Sequence, residues 1–315
     1  MQDYPFVRQL APPLTRDQLR PLDPRCRAVQ FSEPLSDAEL VEVAKLLQGY
    51  RDVTLRVYGH YQRGCDLELL RHFPFLRRFQ VDVFDLGDFR GLRHLPDNLE
   101  YLGLGRTRSR TVSLAVLGRF QDLRELYIES HKKDIDVIAR LSSLQDLTLR
   151  SITLPDLALL KSLNELRSLD IKLGGTRDLG LLPEIGHLRY LEIWMVKGLS
   201  DLSPIGGMRD LQYLFLQAIK NVQNIPSLKS LALLRRVHIE TMKGITDLSG
   251  IAQAPRLEEL LVVDMPHLQP EALRPFVDHP TLKRASVGLG SLRKNRDVKE
   301  LLGLPAVEGG FQFRS

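Results

Sequence analysis

The sequence is poor in the residues that carry covalent, redox and metal chemistry. Its 315 residues include two cysteines, Cys26 and Cys65, and one tryptophan. Cysteines this far apart form no zinc knuckle, and the eight histidines form neither an H-x-x-x-H nor an H-E-x-x-H set. No P-loop or dinucleotide-binding fingerprint is present. We therefore expect reduced thiols, no metal, no cofactor and no enzymatic activity.

Long apolar runs and one-sided charge are also missing. No run of about 18 uncharged apolar residues occurs, and residues 1–8 lack a basic region followed by an apolar stretch. The 44 Lys and Arg residues against 39 Asp and Glu give a net charge of +5 that is spread thinly along the chain, so no polyanion-binding tail is indicated. These absences predict a cytoplasmic protein without a membrane span, and they name no partner.

Leucine is abundant instead, at 61 of the 315 residues. This share is roughly twice that of an ordinary globular domain. An L-x-x-L-x-L segment recurs at intervals of 21 to 24 residues, which predicts a repeat architecture. The strong copies begin at Leu99, Leu123, Leu144, Leu166, Leu188, Leu211, Leu234 and Leu257, and weaker copies begin at Tyr50, Leu76 and Leu282.

The repeats also share apolar columns beyond the L-x-x-L-x-L segment. The last four strong copies keep a 23-residue offset, so that Leu199, Val222, Ile245 and Leu268 fall in one column. A single unit cannot bury its apolar edge alone, but stacked units place each column about 4.8 Å above the last. The pattern predicts one continuous core.

Segments such as GLSDLSPI at 198–205 and GITDLSGI at 244–251 resemble the leucine-rich repeat family, in its short-repeat internalin-like class. The resemblance covers about residues 50–290. It implies an α/β fold: a right-handed leucine-rich repeat solenoid with a parallel concave sheet, short turns or 3₁₀ segments on the convex side, and helical caps.

One position departs from the family, which usually has Asn or Cys at the ninth residue of each repeat. We expect the turn here to gain packing and to lose a ladder of side-chain hydrogen bonds. The ninth residues are His131, Ile152, Gly174, Val196, Ile219, Met242 and Met265.

The ends of the chain read as caps. We expect an N-terminal cap over residues 1–49, mostly irregular at first, with a helix near 36–48 that starts at the Ser36–Glu39 capping box and covers the first strand edge. About 10 to 12 repeats of 21 to 26 residues fill 50–290. A C-terminal cap fills 291–315, with a short helix over 296–302 and with Phe311 and Phe313 folded back onto the final strand.

Function has to be argued from the strand positions that point out of the sheet, because core columns report only folding. Aromatic residues cluster there on two neighbouring strands, with charged residues around them. This apolar centre with a charged rim favours a protein-binding site, although aromatic residues also favour strands for reasons of stability alone. The predicted partner-binding residues are Tyr190, Trp194, Met195, Tyr213, Phe215, His238, Arg150, Lys172, Asp170, Glu192, Arg236 and Glu240.

Two weaker candidates lie earlier in the chain. Tyr101, Tyr127 and Glu129 form a smaller outward group together with Arg106. The run of residues 105–110 places three arginines at alternate positions, which suits phosphate contacts in an extended segment but is typical of a solvated loop.

The sequence therefore predicts a non-enzymatic protein-binding module that recognises a folded protein through its concave face, as a cytosolic inhibitor or an immunity-type partner. The alternative is a regulatory subunit or activator of a GTPase- or phosphatase-type enzyme. Nucleic-acid binding has less support, because aromatic residues are few around the arginine run. The exposed aromatic patch also allows pairing with a second copy of the chain.

Overall fold

The computed structural model describes residues 6–59 and 65–314. Residue contacts divide the chain into two compact units, Met1–Leu147 and Thr148–Ser315. Each unit is built from short parallel strands, most of which are connected by helical segments. None of the helices in the described ranges combines the length and the apolarity needed to cross a membrane.

The first unit contains strands that pair in parallel, each with the next one along the chain. The helix α1 (Asp37–Leu47) connects two of them, and 3₁₀ helices over 67–72, 90–94, 115–119 and 135–140 connect or follow the others. The strands are β1 (Val7–Leu10), β2 (Ala28–Phe31), β3 (Thr54–Gly59), β4 (Arg78–Val83), β5 (Tyr101–Leu104) and β6 (Glu125–Glu129).

The second unit repeats this plan. Its strands from β8 onward also pair in parallel, each with the next one. The connections are 3₁₀ helices over 158–160, 182–184, 203–207 and 270–276 and the short helix α2 (Ser249–Ala252), and α3 (Leu292–Leu302) follows the last strand. The strands are β7 (Asp146–Arg150, which begins in the first unit), β8 (Ser168–Lys172), β9 (Tyr190–Trp194), β10 (Tyr213–Gln217), β11 (Arg236–Glu240), β12 (Glu259–Val263) and β13 (Arg284–Val287).

The predicted apolar columns form the core of each unit. Leu191, Leu214 and Leu260 occupy one column of the second unit and have no exposed surface. Each buried leucine stabilises the fold by about 1.5 to 3 kcal/mol relative to an exposed one. The same column position also holds Leu102 and Leu126 in the first unit, both buried. The repeat pattern thus sets both the strand register and the core.

The turn after each strand is made by the backbone. The eighth residue of seven successive repeats has a positive φ between 50° and 68°, although none of them is glycine. From Ser151 to Thr241 the N–H of this residue donates to the carbonyl of the seventh residue of the next repeat, at 2.7 to 3.0 Å. The ninth residues are buried except Gly174, as the packing expectation requires. Buried His131 still adds one side-chain bond, from Nε2 to the carbonyl oxygen of Gly105 at 3.0 Å.

The structure corrects the expectations for the N-terminal end. Strand β1 lies in a stretch expected to be irregular, and β2 follows it in register. The capping box at the start of α1 is present, with the Ser36 N–H donating to Glu39 Oε2 at 2.9 Å. The helix begins after two strands and contacts the following 3₁₀ helix, so it does not cover the first strand edge. A four-residue strand with one buried side chain leaves too weak a pattern in the sequence to predict.

The C-terminal helix starts earlier than expected. It spans Leu292–Leu302 and so begins four residues before the predicted start at residue 296. It packs against β13. Val298 is its buried residue, and Gly303 ends it with φ 62° and an N–H that donates to the carbonyl of Lys299 at 3.0 Å. The positive φ explains why glycine stands at this position.

Candidate functional site

The outward side chains of the second unit form three rows across its strands, which we call the strand face. Parallel pairing places the third residues of successive strands side by side, and likewise the fifth and the seventh residues. The first row runs Ser168, Tyr190, Tyr213, Arg236, Glu259, the middle row Asp170, Glu192, Phe215, His238, Leu261, and the last row Lys172, Trp194, Gln217, Glu240, Val263. All predicted partner-binding residues lie on these rows except Arg150, at the end of β7, and Met195, directly after β9.

The first row combines aromatic rings and a buried ion pair. The rings of Tyr190 and Tyr213 meet edge to face with their centroids 5.0 Å apart. The guanidinium of Arg236 lies 5.4 Å from the Tyr213 centroid, and its Nε donates to Glu259 at 2.6 Å. Arg236 is only 6% exposed, so it lies inside the cluster and not at a solvent-exposed rim. These contacts fix the two tyrosine rings in place.

The middle row contains two acidic side chains close to one lysine. Lys172 Nζ lies 2.9 Å from Glu192 Oε2 and 3.2 Å from Asp170 Oδ1. Burial raises the pKa of Asp170 to about 7, helped by its hydrogen bond with Glu192. Burial of Glu192 opposes its ionisation, yet hydrogen bonds with Asp170, Lys172 and Tyr190 hold its pKa below the usual value. Just below pH 7 the pair therefore holds one proton, and Lys172 compensates the negative charge that remains.

Next to the acidic pair, Phe215 and His238 stack face to face with centroids 4.0 Å apart and an interplanar angle of 5°. Burial and the nearby Arg236 charge lower the pKa of His238 to about 4, so the imidazole is neutral at physiological pH. Its Nε2 lies 3.5 Å from Glu240, which also accepts a hydrogen bond from Gln217 at 2.7 Å. This pair is a flat, uncharged and partly exposed surface.

The last row presents Trp194, whose indole is partly exposed. The guanidinium of Arg150 lies 5.1 Å from the indole centroid, in the geometry of a cation–π contact. Met195 follows with φ 50° and 44% exposure. Leu261 and Val263 continue the apolar surface on β12 and are also partly exposed. The sequence prediction left these two out because their apolar character is ordinary for a strand.

The C-terminal tail covers the first row. The Phe311 ring lies 5.2 Å from that of Tyr213, and the Phe313 ring lies 6.5 Å from that of Tyr190. The expectation that Phe311 and Phe313 fold onto the final strand is therefore wrong, since their rings lie on β9 and β10. An aromatic pair gains more from the two tyrosine rings than from the residues of β13, which are small, charged or aliphatic. The middle and last rows remain uncovered by these rings.

Comparison with known proteins identifies the fold. No protein-family model matches the chain, and no curated protein matches it. The structure of an internalin (inlF) from Listeria monocytogenes matches with a TM-score of 0.61 at 19% identity, over 91% of this chain and 82% of that one. This chain is a leucine-rich repeat solenoid.

Two further solved structures match the solenoid with lower scores. An internalin C2 (inlC2) from Listeria monocytogenes is 24% identical over 65% of this chain and 84% of that chain, with a TM-score of 0.48. A complex of TLR13 with ssRNA13 is 15% identical over 93% of this chain and 52% of that one, with a TM-score of 0.47.

The weaker candidate group lies in the first unit of the solenoid, where Tyr127 bonds to Glu129 while Tyr101 and Arg106 contact side chains outside the group. The Tyr101 hydroxyl donates to Gln80 at 2.8 Å, and the Tyr127 hydroxyl donates to Glu129 at 2.9 Å. The Arg106 and Arg108 guanidinium groups lie 5.7 and 5.9 Å from the ring of Phe84. Arg108 also pairs with Asp85. Arg106 and Arg108 of the arginine run thus already contact other side chains of the first unit.

The two cysteines lie outside the strand face. Cys26 is buried, and burial raises the pKa of Cys65 to about 12. Across residues 6–59 and 65–314, no three side chains of His, Cys, Asp or Glu come together as a metal site.

Proposed function

We propose that this solenoid is a non-enzymatic protein-binding module that acts in the cytoplasm and receives a folded partner on the strand face of the second unit. The observation that carries the proposal is the group of partly exposed apolar side chains on four neighbouring strands, surrounded by charges that are already paired. The group comprises Trp194, Phe215, His238, Leu261 and Val263.

The physical argument rests on where interfaces keep their energy. Interface cores are enriched in aromatic residues and depleted in free charge, and truncation of one central residue costs about 2 kcal/mol or more. The stacked Phe215 and His238 rings give a flat apolar surface that loses little side-chain entropy on binding. Lys172 compensates the acidic pair beside them, so a partner does not have to neutralise a buried charge.

The inhibitor or immunity-type role is the form of this function that we favour. A module that blocks another protein has to present a fixed surface, because ordering a mobile surface on binding costs affinity. The strand face is held from below by fully buried columns and from the side by backbone hydrogen bonds between successive turns. A face of this kind suits the occlusion of a partner's active site.

The proposal is tested by capture of partners from native lysate with four chains. The double variant Trp194→Glu/Leu261→Glu places charge on the strand face, and Leu292→Glu is the matched control, because Leu292 is 91% exposed on α3. Circular dichroism first establishes that all chains fold. Wild type and Leu292→Glu are expected to retain the same partner, and the double variant is expected to lose it. The fourth chain, Arg106→Glu/Arg108→Glu, is expected to retain it as well.

Equal capture by wild type and the double variant contradicts a partner site on the strand face. Once a partner is known, its activity is assayed with and without the solenoid. An inhibitor abolishes the activity in proportion to occupancy, whereas a rise in turnover identifies the regulator alternative. Loss of capture only in the Arg106→Glu/Arg108→Glu chain, with a steep dependence on salt, assigns binding to nucleic acid.

A further inference from the structure

The tail after α3 crosses the strands of the second unit in the reverse of chain order. It begins beside β13, where the Pro305 carbonyl accepts from the Ala285 N–H at 2.9 Å and the Val307 N–H donates to the Ser286 hydroxyl at 2.9 Å. Glu308, Gly309 and Gly310 are then exposed, and Gly309 has φ 73°. Residues 311–314 finally reach the strands β11, β10 and β9. An extended segment thus lies across the strands as a bound peptide would.

Residues 311–314 contact a set of side chains at the start of these strands, which we call the tail site. It consists of Tyr190, Gln212, Tyr213, Arg235, Arg236 and Glu258. The first two subsites each hold an aromatic ring of the tail. The guanidinium groups of Arg235 and Arg236 lie 5.2 and 5.1 Å from the centroid of the Phe311 ring. The centroid of the Phe313 ring lies 4.9 Å from that of Phe311 and 6.5 Å from that of Tyr190.

The tail site also holds the peptide backbone and a basic side chain. The Gln212 amide accepts from the Arg314 N–H and donates to the Arg314 carbonyl, both at 2.9 Å. Arg235 donates to the Gln312 carbonyl at 2.8 Å. The Arg314 guanidinium lies 3.1 Å from Glu258, whose pKa is held below its usual value, against its burial, by Arg235 and other cations. The tail site thus holds four residues in this order: an aromatic residue, any residue, a second aromatic residue and an arginine.

Gln212 gives the strongest sign of a built peptide site. With the tail in place this residue is only 5% exposed, and both atoms of its amide bond to the backbone of one tail residue, Arg314. When the tail leaves, another peptide backbone or water has to take these two hydrogen bonds. Contacts to the backbone accept an extended segment of any sequence, while the aromatic and acidic subsites supply selectivity.

The present occupant is poorly protected. Phe313 is 48% exposed, and Gln312 and Arg314 are exposed as well. A cavity of about 560 Å³ opens beside Arg314 and is lined by Arg189, Arg256, Lys283 and Glu258 among others. An incoming chain can therefore reach the edge of the tail site from solvent while the tail is bound.

We propose that the tail site recognises a segment of the partner protein with the pattern aromatic, any residue, aromatic, arginine, and that this chain's own tail is a stand-in ligand that the partner displaces. The inference rests on the proposed function, because it assigns the segment to the same partner. Exchange of the tail with a second copy of the chain is the competing occupant.

The test uses the full chain with the tail released, Phe311→Ala/Phe313→Ala. The probe is a fluorescein-labelled, end-capped peptide of residues 308–314, followed by anisotropy. The tethered wild-type tail competes at an effective concentration on the order of 1 mM. The released variant is therefore expected to bind the peptide at least tenfold more tightly than wild type does. Leu292→Ala, at a distant exposed position, is expected to match wild type.

Two further pairs place the peptide in the tail site. A peptide with alanine in place of both phenylalanines is expected not to bind. Adding Glu258→Gln to the released variant is expected to weaken the peptide severalfold, while a peptide with glutamine in place of arginine binds both chains equally. This charge comparison does not depend on removing a buried side chain, so misfolding cannot imitate it.

Three results overturn the inference. A folded released variant that does not bind the peptide has no such site. Equal affinity for wild type and the released variant means that the tail does not occupy the site. A concentration-dependent dimer of wild type that is absent in the released variant assigns the site to tail exchange between copies. Trp194 plays no part in the peptide assay, so this assay and the capture of partners from lysate can fail separately. If the peptide binds but Trp194→Glu/Leu261→Glu still captures the partner, the result contradicts the proposed function and leaves the tail site in place.

Discussion

At the residue scale, the strand face contains charged side chains that are mostly buried, where an unpaired charge is unstable. Asp170 and Glu192 lie next to each other in the middle row, and Lys172 binds both. Removal of one partner from a buried ionic group leaves a charge without compensation, which costs more than the group contributes when complete. The trio therefore fixes the local geometry more than it adds to stability, and Tyr190 is held in place through its hydrogen bond to Glu192 at 2.9 Å.

The titration of Asp170 gives a prediction about stability and pH. Its pKa is raised to about 7 by burial, so between about pH 4 and pH 7 the folded chain holds a proton that the unfolded chain has lost. The free energy of unfolding of wild type should accordingly carry a term that falls as pH rises through this range and is constant above it. Asp170→Asn removes the term and should gain up to about 4 kcal/mol relative to wild type between pH 4 and pH 8.

Urea denaturation of wild type and Asp170→Asn at several pH values measures this difference. The control is Asp122→Asn, at an exposed position of the first unit, which is expected to run parallel to wild type. A constant offset between wild type and Asp170→Asn across the range would contradict the burial of an acidic proton at this site.

At the scale of the element, the turn after each strand explains how this chain manages without an asparagine ladder. The eighth residue adopts a left-handed conformation that costs a non-glycine residue about 1 to 2 kcal/mol. In return, its N–H reaches the neighbouring repeat, as for Ala218, which donates to the carbonyl of Glu240 at 2.9 Å. Backbone bonds between successive turns thus take the role of side-chain bonds.

Ala218→Gly tests this account, because it removes only a methyl group from a residue with φ 52°. Glycine adopts this conformation without strain, so the free energy of unfolding should rise by about 0.5 to 1 kcal/mol. Ala232→Gly is the matched control at an exposed turn without a positive φ. Its free energy of unfolding should fall by a similar amount. Thermal or urea unfolding measures both. A loss of stability in Ala218→Gly would show that the methyl contact outweighs the strain.

The elements differ in how far the sequence predicts them. The columns through Leu191 and Leu214 repeat at a fixed spacing, so their burial follows from periodicity alone. The position of the tail does not follow from periodicity, because Phe311 and Phe313 contact residues about 100 positions away, and these contacts do not repeat along the chain. The alternation of two aromatic residues is visible in the sequence, whereas the strands that receive them are not. Burial of Asp170 is equally hidden, since alternation predicts only that it points outward.

At the scale of the whole molecule, stability is built up from neighbour to neighbour. In each unit the strands whose pairing is described contact the adjacent repeats, and in the second unit the column through Leu191 and Leu214 is filled by buried Leu or Val from β8 to β12. Such repeat chains gain stability from the interfaces between adjacent repeats, so a defect acts mainly on its neighbours. A surface that spans five strands, as the strand face does, then depends on the weakest interface among them.

Leu214→Ala in β10 makes this dependence measurable. The leucine is fully buried, so its truncation should lower the free energy of unfolding by about 2 to 5 kcal/mol. Hydrogen exchange should show the largest loss of protection in β9, β10 and β11 and a smaller loss in β13, because the defect weakens the two interfaces that it touches. Leu292→Ala, at an exposed position, should leave the exchange pattern unchanged. An equal loss in every strand of the second unit would mean that the unit unfolds as a single cooperative block, and a partner docked on Trp194 would then stabilise all of its repeats alike.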